Sequence, residues 1–353
     1  MVLGVHDNAG TCIAARCAFL SYYTSEIDVR WRVCVKQFVS ALIVACAIPC
    51  VLAQSYPAKP IRLIVPYTAG SSMDIIGRIL APRMLDSLGQ PMIVDNRAGA
   101  GGNLGTAAAA KSVPDGYTVV LGALGPLVQN AVLYASATFD PVRDFAAISL
   151  VATGPILMAV HPSIPVKNLK ELVELAKRRP GQISYGSGGI GSATHIAGEM
   201  IKFATGIDTL HVPYRGNVES ITGMITGQVS MVYSGAPPLV GLAKAGKLRL
   251  LATTGPRRMA SVPAMMTVAE SGYPAAEMLI WYGVVAPAGT PREAIGRLNG
   301  AIVKAMNLPE VRDQFAQQGL DPESNTPEQF AQIIRDDYTR WGKIIRAAGI
   351  KLE

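Results

Sequence analysis

Cysteine is missing from residue 51 onward: Cys12, Cys17, Cys34, Cys46 and Cys50 all fall within the first fifty positions. Its absence excludes a disulfide framework, a thiolate metal site and a thiol nucleophile from the main body of the chain. Charge is sparse as well. Charged residues make up 16% of the chain while half of it is hydrophobic, which rules out a disordered polyelectrolyte. The net charge of +7 is dispersed, with Arg178-Arg179 and Arg257-Arg258 the densest pairs. No basic stripe with interleaved aromatics runs through it, so no nucleic-acid partner is expected. Histidines number four, and His161, His195 and His211 stand at unrelated spacings without H-E-x-x-H, so no metal site is expected. No G-x-S-x-G occurs, which excludes a nucleophile elbow. Heptads, fixed-period repeats and low-complexity tracts are absent too.

The first feature that is present is a leader. Arg30, Arg32 and Lys36 precede the apolar run 38–52, which ends Val51-Leu52-Ala53 before Gln54. A charged stretch, an apolar stretch and small residues at the −3 and −1 positions make a secretory signal peptide. The run is shorter than the ~20 residues needed to span a bilayer. Cleavage is expected near Ala53, with export to the periplasm, and residues 1–29 fit an upstream start codon assigned too early. A rival site, Ile43-Val44-Ala45-Cys46, resembles a lipoprotein cleavage motif but leaves an apolar stretch of only about eight residues.

Beyond residue 56 short apolar runs alternate with helical patterns. Strands are predicted at 61–66, 91–94, 117–121, 147–152, 156–160, 182–185, 210–213, 229–233, 248–253 and 279–285. Helices are predicted at 74–88, 168–178, 193–205, 217–226, 239–245, 291–306, 309–317 and 327–348. Such alternation argues for an α/β fold with parallel strands, and two groups of about five strands suit two lobes. In these sheets ligands bind beyond the carboxyl ends of the strands, where strands hand over to helices.

Two handover turns combine glycines, hydroxyls and a helix start, a combination able to hold an anion without a counter-charge. One runs Pro66-Tyr67-Thr68-Ala69-Gly70-Ser71-Ser72-Met73-Asp74 and the other from Gly186 to His195. Asp74 is a contact candidate, although an acid in a first helical turn also suits the helix dipole. His195 is another, although it could equally anchor its own loop. Gly186, Gly188 and Gly191 spell G-x-G-x-x-G, yet a dinucleotide site needs an acid at the end of the next strand. That strand instead ends Pro213-Tyr214-Arg215, and Asp208 precedes it, so no cofactor is expected.

Several segments together resemble the Bug receptors, the solute-binding proteins of tripartite tricarboxylate transporters. They are residues 66–74, Val94-Asp95-Asn96-Arg97-Ala98-Gly99-Ala100-Gly101-Gly102-Asn103-Leu104-Gly105, Pro114-Asp115-Gly116-Tyr117-Thr118, residues 185–198, Val212-Pro213-Tyr214-Arg215-Gly216 and Ala286-Pro287-Ala288-Gly289-Thr290-Pro291. The resemblance implies a two-lobed Venus-flytrap periplasmic binding protein fold, type II-like, each lobe a mostly parallel sheet flanked by helices. Lobe 1 would hold residues 54–155 and 278–353, and lobe 2 residues 156–277, after a leader at 1–53. It further implies a small carboxylate in the cleft, gripped by Tyr67, Thr68, Ala69, Gly70, Ser71 and Ser72 from the first loop. Ser187, Gly188, Gly189, Gly191, Ser192 and Thr194 would grip it from the second, with Tyr214, Arg215 and Gly216 lining the other lobe. The implied partners are the membrane components of a tripartite transporter, and the receptor would be a monomer without catalytic residues. An exported α/β enzyme acting on a small anion is the alternative.

Two departures bear on the ligand. The family pattern has Gly-Gly where this chain has Gly70-Ser71, and an Asp, implied to recognise amino groups in some members, where this chain has Ser230. A di- or tricarboxylate or an aromatic acid is therefore expected rather than an amino acid. The segment 122–130 differs from the family pattern and leaves the rest of the pocket unassigned.

Overall fold

The apolar run Ile61–Val65 buries four of its five side chains as β1, which has a strand on either side. In this computed structural model, which describes residues 56–134 and 138–347, β1 turns into α1 (Ser72–Leu88). The turn is dictated locally. Ser71 caps the helix by accepting the Asp74 N–H at 3.3 Å, and Gly89 ends it in the left-handed conformation, its N–H returning to the Leu85 carbonyl. β2 (Met92–Asn96), α2 (Asn103–Ala110) and β3 (Thr118–Ala123) follow, then one π turn over Leu124–Gln129 and the short α3 (Asn130–Leu133).

β4 (Phe145–Val160) carries the chain into a second lobe made of α4 (Leu169–Arg178), β5 (Ser184–Ser187), α5 (Ala193–Thr205), β6 (Leu210–Pro213), α6 (Asn217–Ile225), β7 (Met231–Gly235), α7 (Ala236–Lys244) and β8 (Arg249–Thr253). The chain returns through β9 (Leu279–Pro287) and closes the first lobe with α8 (Arg292–Met306), α9 (Pro309–Gln317), β10 (Asp321–Pro322) and α10 (Pro327–Ala347).

The sheet order is β2-β1-β3-β9-β4-β7-β5-β6, with β8 and β10 also on β4. β1, β2 and β3 pair in parallel in one lobe, as do β5, β6 and β7 in the other. β9 in the first lobe and β4 in the second enter antiparallel because they arrive from the opposite lobe, so each sheet is mostly parallel, as expected, with a crossing strand running against the rest. The predicted strands at 147–152 and 156–160 are one strand. Its first part pairs with β9 as far as Pro155, and it then pairs with β7 from Ile156 and with β8 from Leu157. Pro155 marks the change of partner.

The crossing segments are fastened by Thr254. Its buried hydroxyl donates to the Met278 carbonyl at 2.6 Å and accepts the Ile156 N–H at 3.0 Å. Backbone bonds from Thr254 to Ile156 and from Met278 to Thr254 complete the fastening. The larger apolar core runs through both sheets from Ile61 to Ile345, and a second cluster around Leu157, Val232 and Leu239 fills the far side of the second lobe. The signal peptide with its Ala53 and Cys46 alternatives lies outside the described residues, as does Ala348. Among the described residues no helix is long and apolar enough to cross a membrane.

Candidate functional site

The first loop is held from within. Asp74, only 3% exposed, accepts the Gly70 N–H at 2.8 Å and the Arg78 Nε at 2.9 and 3.0 Å. Burial works to raise its carboxyl, but the bonds from Arg78, Gly70 and Asn96 outweigh it and hold the group below the ordinary carboxylate range. Asp74 is therefore committed to shaping the loop. Tyr67 donates to the Gly101 carbonyl at 2.9 Å, and the Asn96 amide donates to the Tyr67 carbonyl.

The second loop is knitted more tightly still. The N–H of Gly188 goes to Thr194 Oγ1 at 2.9 Å, that of Gly189 to Ser187 Oγ at 3.2 Å and that of Gly191 to His195 Nδ1 at 3.2 Å. Ser192 caps α5 by accepting the His195 N–H. These glycine N–H groups, expected from the sequence to face an anion, are thus already occupied. The N–H groups left over are the first of each helix, Ser72 and Met73 in α1 and Ala193 and Thr194 in α5, which have no intrahelical acceptor.

All four of those residues line one cavity of about 30 Å³ between the lobes. Its polar wall is Tyr67, Ser71, Ser72, Ser192, Thr194 and Asn217; Met73, Ala123, Pro126, Ala193, Ile280 and Tyr282 add mostly apolar surface. Among the described residues that line it, none is charged. Ser72 is 4% exposed and lies on the cavity wall. The Tyr282 hydroxyl stands close by, its phenol raised by burial with Ser72 opposing. Two glycines let the lobes approach here. A Cβ on Gly125 would lie 2.8 Å from the Ala193 nitrogen, and one on Gly235 would lie 2.5 Å from Ser72 Oγ. Outside the cavity the lobes also meet through Tyr134, whose hydroxyl donates to the Ile190 carbonyl at 2.9 Å.

Of the sequence-predicted residues, Tyr67, Ser71, Ser72, Ser192 and Thr194 come together on the cavity wall. Ser187, Gly188, Gly189, Gly191 and His195 sit behind it as scaffold, and Asp74 beside it. Ala69 and Gly70 are exposed, and Thr68 abuts Gly216 across the lobes, its hydroxyl buried without a partner. Arg215 is exposed, and neither it nor Tyr214 lines the cavity; the Tyr214 ring packs behind the second loop against Gly186 and Gly223. Sequence reasoning missed Gly125, Pro126, Gly235, Ile280 and Tyr282. The first two fall in the segment 122–130 that departs from the family pattern, which was the available signal.

It also missed a stack. The His195 and His211 rings lie 4.2 Å apart, and Tyr185 stacks on the other side of His211 at 4.8 Å. Ser187 Oγ is 2.7 Å from His211 Nε2, which has the look of a nucleophile and its base. Ser187, however, is fully buried, lies outside the cavity wall, and has its hydroxyl engaged by Gly189. Burial, then His195 and Lys202, push the His211 imidazole down to about 3 and keep it neutral. Among the described residues no group of three His, Cys, Asp or Glu side chains could hold a metal ion.

Comparison with known proteins agrees with this architecture. Residues 76–350 match the model of the tripartite tricarboxylate transporter family receptor. Protein BugT of Bordetella pertussis is 36% identical over 304 residues, covering 86% of this chain and 93% of its own length. Among solved structures, the periplasmic binding protein BugD superposes with a TM-score of 0.81 at 30% identity, covering 84% of this chain and all of BugD. An R. palustris protein solved with adipate superposes with the same score at 31% identity, covering 84% of this chain and 99% of its own. The chain belongs to the tripartite tricarboxylate transporter receptor family.

Proposed function

We propose that this chain is a periplasmic receptor that captures a small carboxylate and presents it, unaltered, to the membrane components of a tripartite transporter. The observation that carries the reading is the convergence of the first turns of α1 and α5 on one cavity between two lobes, with hydroxyls and no competing carboxylate around it. Each helix start presents roughly half a positive charge and free N–H groups. A carboxylate there would accept from the N–H groups of Ser72, Met73, Ala193 and Thr194 and from the hydroxyls of Ser71 and Ser72, with the Ser192 and Thr194 hydroxyls, bonded to each other at 2.9 Å, beside them. Gly188, Gly189, Gly191, Ser187 and His195 hold the second loop in shape behind it, Thr68, Gly70 and Gly216 serve lobe contact rather than ligand contact, and Ala69 is exposed. The adipate bound to the R. palustris relative supports the carboxylate class.

On this reading the lobes comprise residues 54–155 with 278–353, and 156–277. The change of strand partner between Pro155 and Ile156 and the start of β9 opposite Pro155 support those limits. Signal cleavage near Ala53 and a monomeric state belong to the same proposal.

Native mass spectrometry of the exported protein, purified without refolding, tests it. The expected result is a monomer beginning near Gln54 that retains a small organic acid and releases it chemically unchanged. A cytoplasmic product retaining residues 1–29, or a turned-over ligand, would contradict the proposal.

A further inference from the structure

We infer that the far end of the second lobe is a docking site for an extended, acidic peptide segment of a partner protein, which adds as a strand to the free edge of β8. The surface lies apart from the ligand cavity and the inference draws nothing from the carboxylate.

β8 ends the sheet of the second lobe. It pairs antiparallel with β4, and the sheet continues from β4 through β7 and β5 to β6, so among the described residues no named strand lies on its other side. There the chain returns only at Thr253, whose N–H goes to the Met266 carbonyl at 3.1 Å and whose carbonyl accepts from the Val268 N–H at 2.9 Å. Ahead of that contact an open groove of about 480 Å³ runs between β8 and the segment 262–266. Arg249 pairs with Val160, the end of β4 farthest from the crossing at Pro155, so the groove faces away from the cleft. Leu248, Arg249, Leu250 and Leu251 all line it. Side chains along a strand alternate between two faces, so four consecutive residues share one groove only if it follows the strand's edge. An uncovered edge offers its backbone N–H and C=O groups to an incoming strand. Val262, Met265 and Met266 form the opposite wall, an apolar and adaptable lining.

The rim selects the charge of the occupant. Lys167 and Arg249 line the groove, Lys244 and Lys247 adjoin its residues Ala243 and Leu248, and Lys170 lies in the first turn of α4. The four lysines are exposed, and among the described residues none of the five cations is in an ion pair. Arg249 is fixed in place by donating from Nη1 to the Ile164 and Val166 carbonyls at 3.1 and 2.9 Å. Glu171 is the acid of these stretches. Its carboxylate accepts the Lys167 N–H at 2.7 Å and the Asn168 amide at 2.9 Å, and so serves the start of α4. Cations along an apolar strand edge fit a segment in which acidic side chains alternate with apolar ones. A second copy of this chain docking by the same edge would bring the same cations and be repelled.

Fluorescence anisotropy on the mature protein tests the site, with a labelled peptide of about nine residues alternating Glu and Val set against its Lys and Val counterpart. The acidic peptide is expected to bind about tenfold or more tighter than the basic one, and to lose about tenfold or more on protein carrying Lys167→Glu, Lys244→Glu and Lys247→Glu together. Hydrogen exchange at residues 249–251 of the wild-type protein should slow when the acidic peptide binds, as backbone pairing requires. That measurement needs no variant, so it decides whether or not the charge-reversed protein folds. Failure of the acidic peptide to bind, equal binding of the two peptides, full binding to the charge-reversed protein or unchanged exchange at 249–251 would each overturn the inference. Binding to phosphatidylglycerol vesicles without binding to the acidic peptide would overturn it too, and would assign the basic rim to a membrane surface. The receptor reading stands or falls separately, on the retained organic acid.

Discussion

At the scale of single residues, the site depends on what is left uncovered rather than on what points inward. Gly125 illustrates it. Its missing side chain lets the π turn of the first lobe sit against the first N–H of α5, where a Cβ would come within 2.8 Å of the Ala193 nitrogen. Gly125→Ala should therefore leave the fold and melting temperature close to wild type, because the methyl group meets only the opposite lobe. Ligand affinity, by contrast, should fall about tenfold or more, as one donor is obstructed and closure is hindered. Arg215→Ala should change affinity less than about twofold, since that side chain is exposed and outside the cavity wall. Titration calorimetry of both variants settles the ranking; a large loss in Arg215→Ala with normal binding in Gly125→Ala would mean that a salt bridge, not helix starts, holds the ligand.

At the scale of elements, the strand-to-helix handovers were readable in the sequence because their signals are local. Ser71 and Ser192 are helix caps, and Gly89 and Gly206 are left-handed ends, each decided within a few residues. The destination of the loop N–H groups was not readable. Thr194, Ser187 and His195 take the three glycine N–H groups only because the loop folds back on itself, and no spacing rule encodes that. The extent of β4 was hidden for a similar reason: its two halves read as separate strands until β9 and β8 are seen to share one. The stack joining β5, β6 and α5 carries a prediction of its own. Unfolded His211 takes up a proton near its ordinary 6.5, whereas the native ring resists protonation until about 3. The unfolded state thus binds more protons between those values, and native stability must fall as pH drops through that window. His211→Asn removes the titration while keeping a polar partner for Ser187. Its melting temperature should lie below wild type at about pH 7.5, and the two curves should converge as pH falls from about 6.5 to 4. Parallel curves would show that His211 is not the group responsible.

At the scale of the whole molecule, the direct meeting of the lobes sets how ligand enters and leaves. Small-molecule sites commonly enclose ~300–1,000 Å³, and the cavity here measures about 30 Å³. Entry therefore requires the lobes to part, with β4 and the segment leading into β9 as the hinge and Thr254 fastening the two strands. Small-angle scattering should show a smaller radius of gyration with saturating ligand than without it; unchanged dimensions would count against hinged closure. The bond from Tyr134 to the Ile190 carbonyl joins the lobes without touching the cavity wall, so it can form only after they close. Tyr134→Phe deletes that bond and leaves the ring, removing about 0.5–1.5 kcal/mol from the closed state alone. The open state and the encounter with ligand are unaffected, so the association rate should stay within about twofold of wild type while dissociation accelerates roughly two- to tenfold. Stopped-flow measurement of both rates separates this from loss of a ligand contact on the encounter path. A slower association with unchanged dissociation would show that Tyr134 acts before closure, and the latch assigned to it would have to be abandoned.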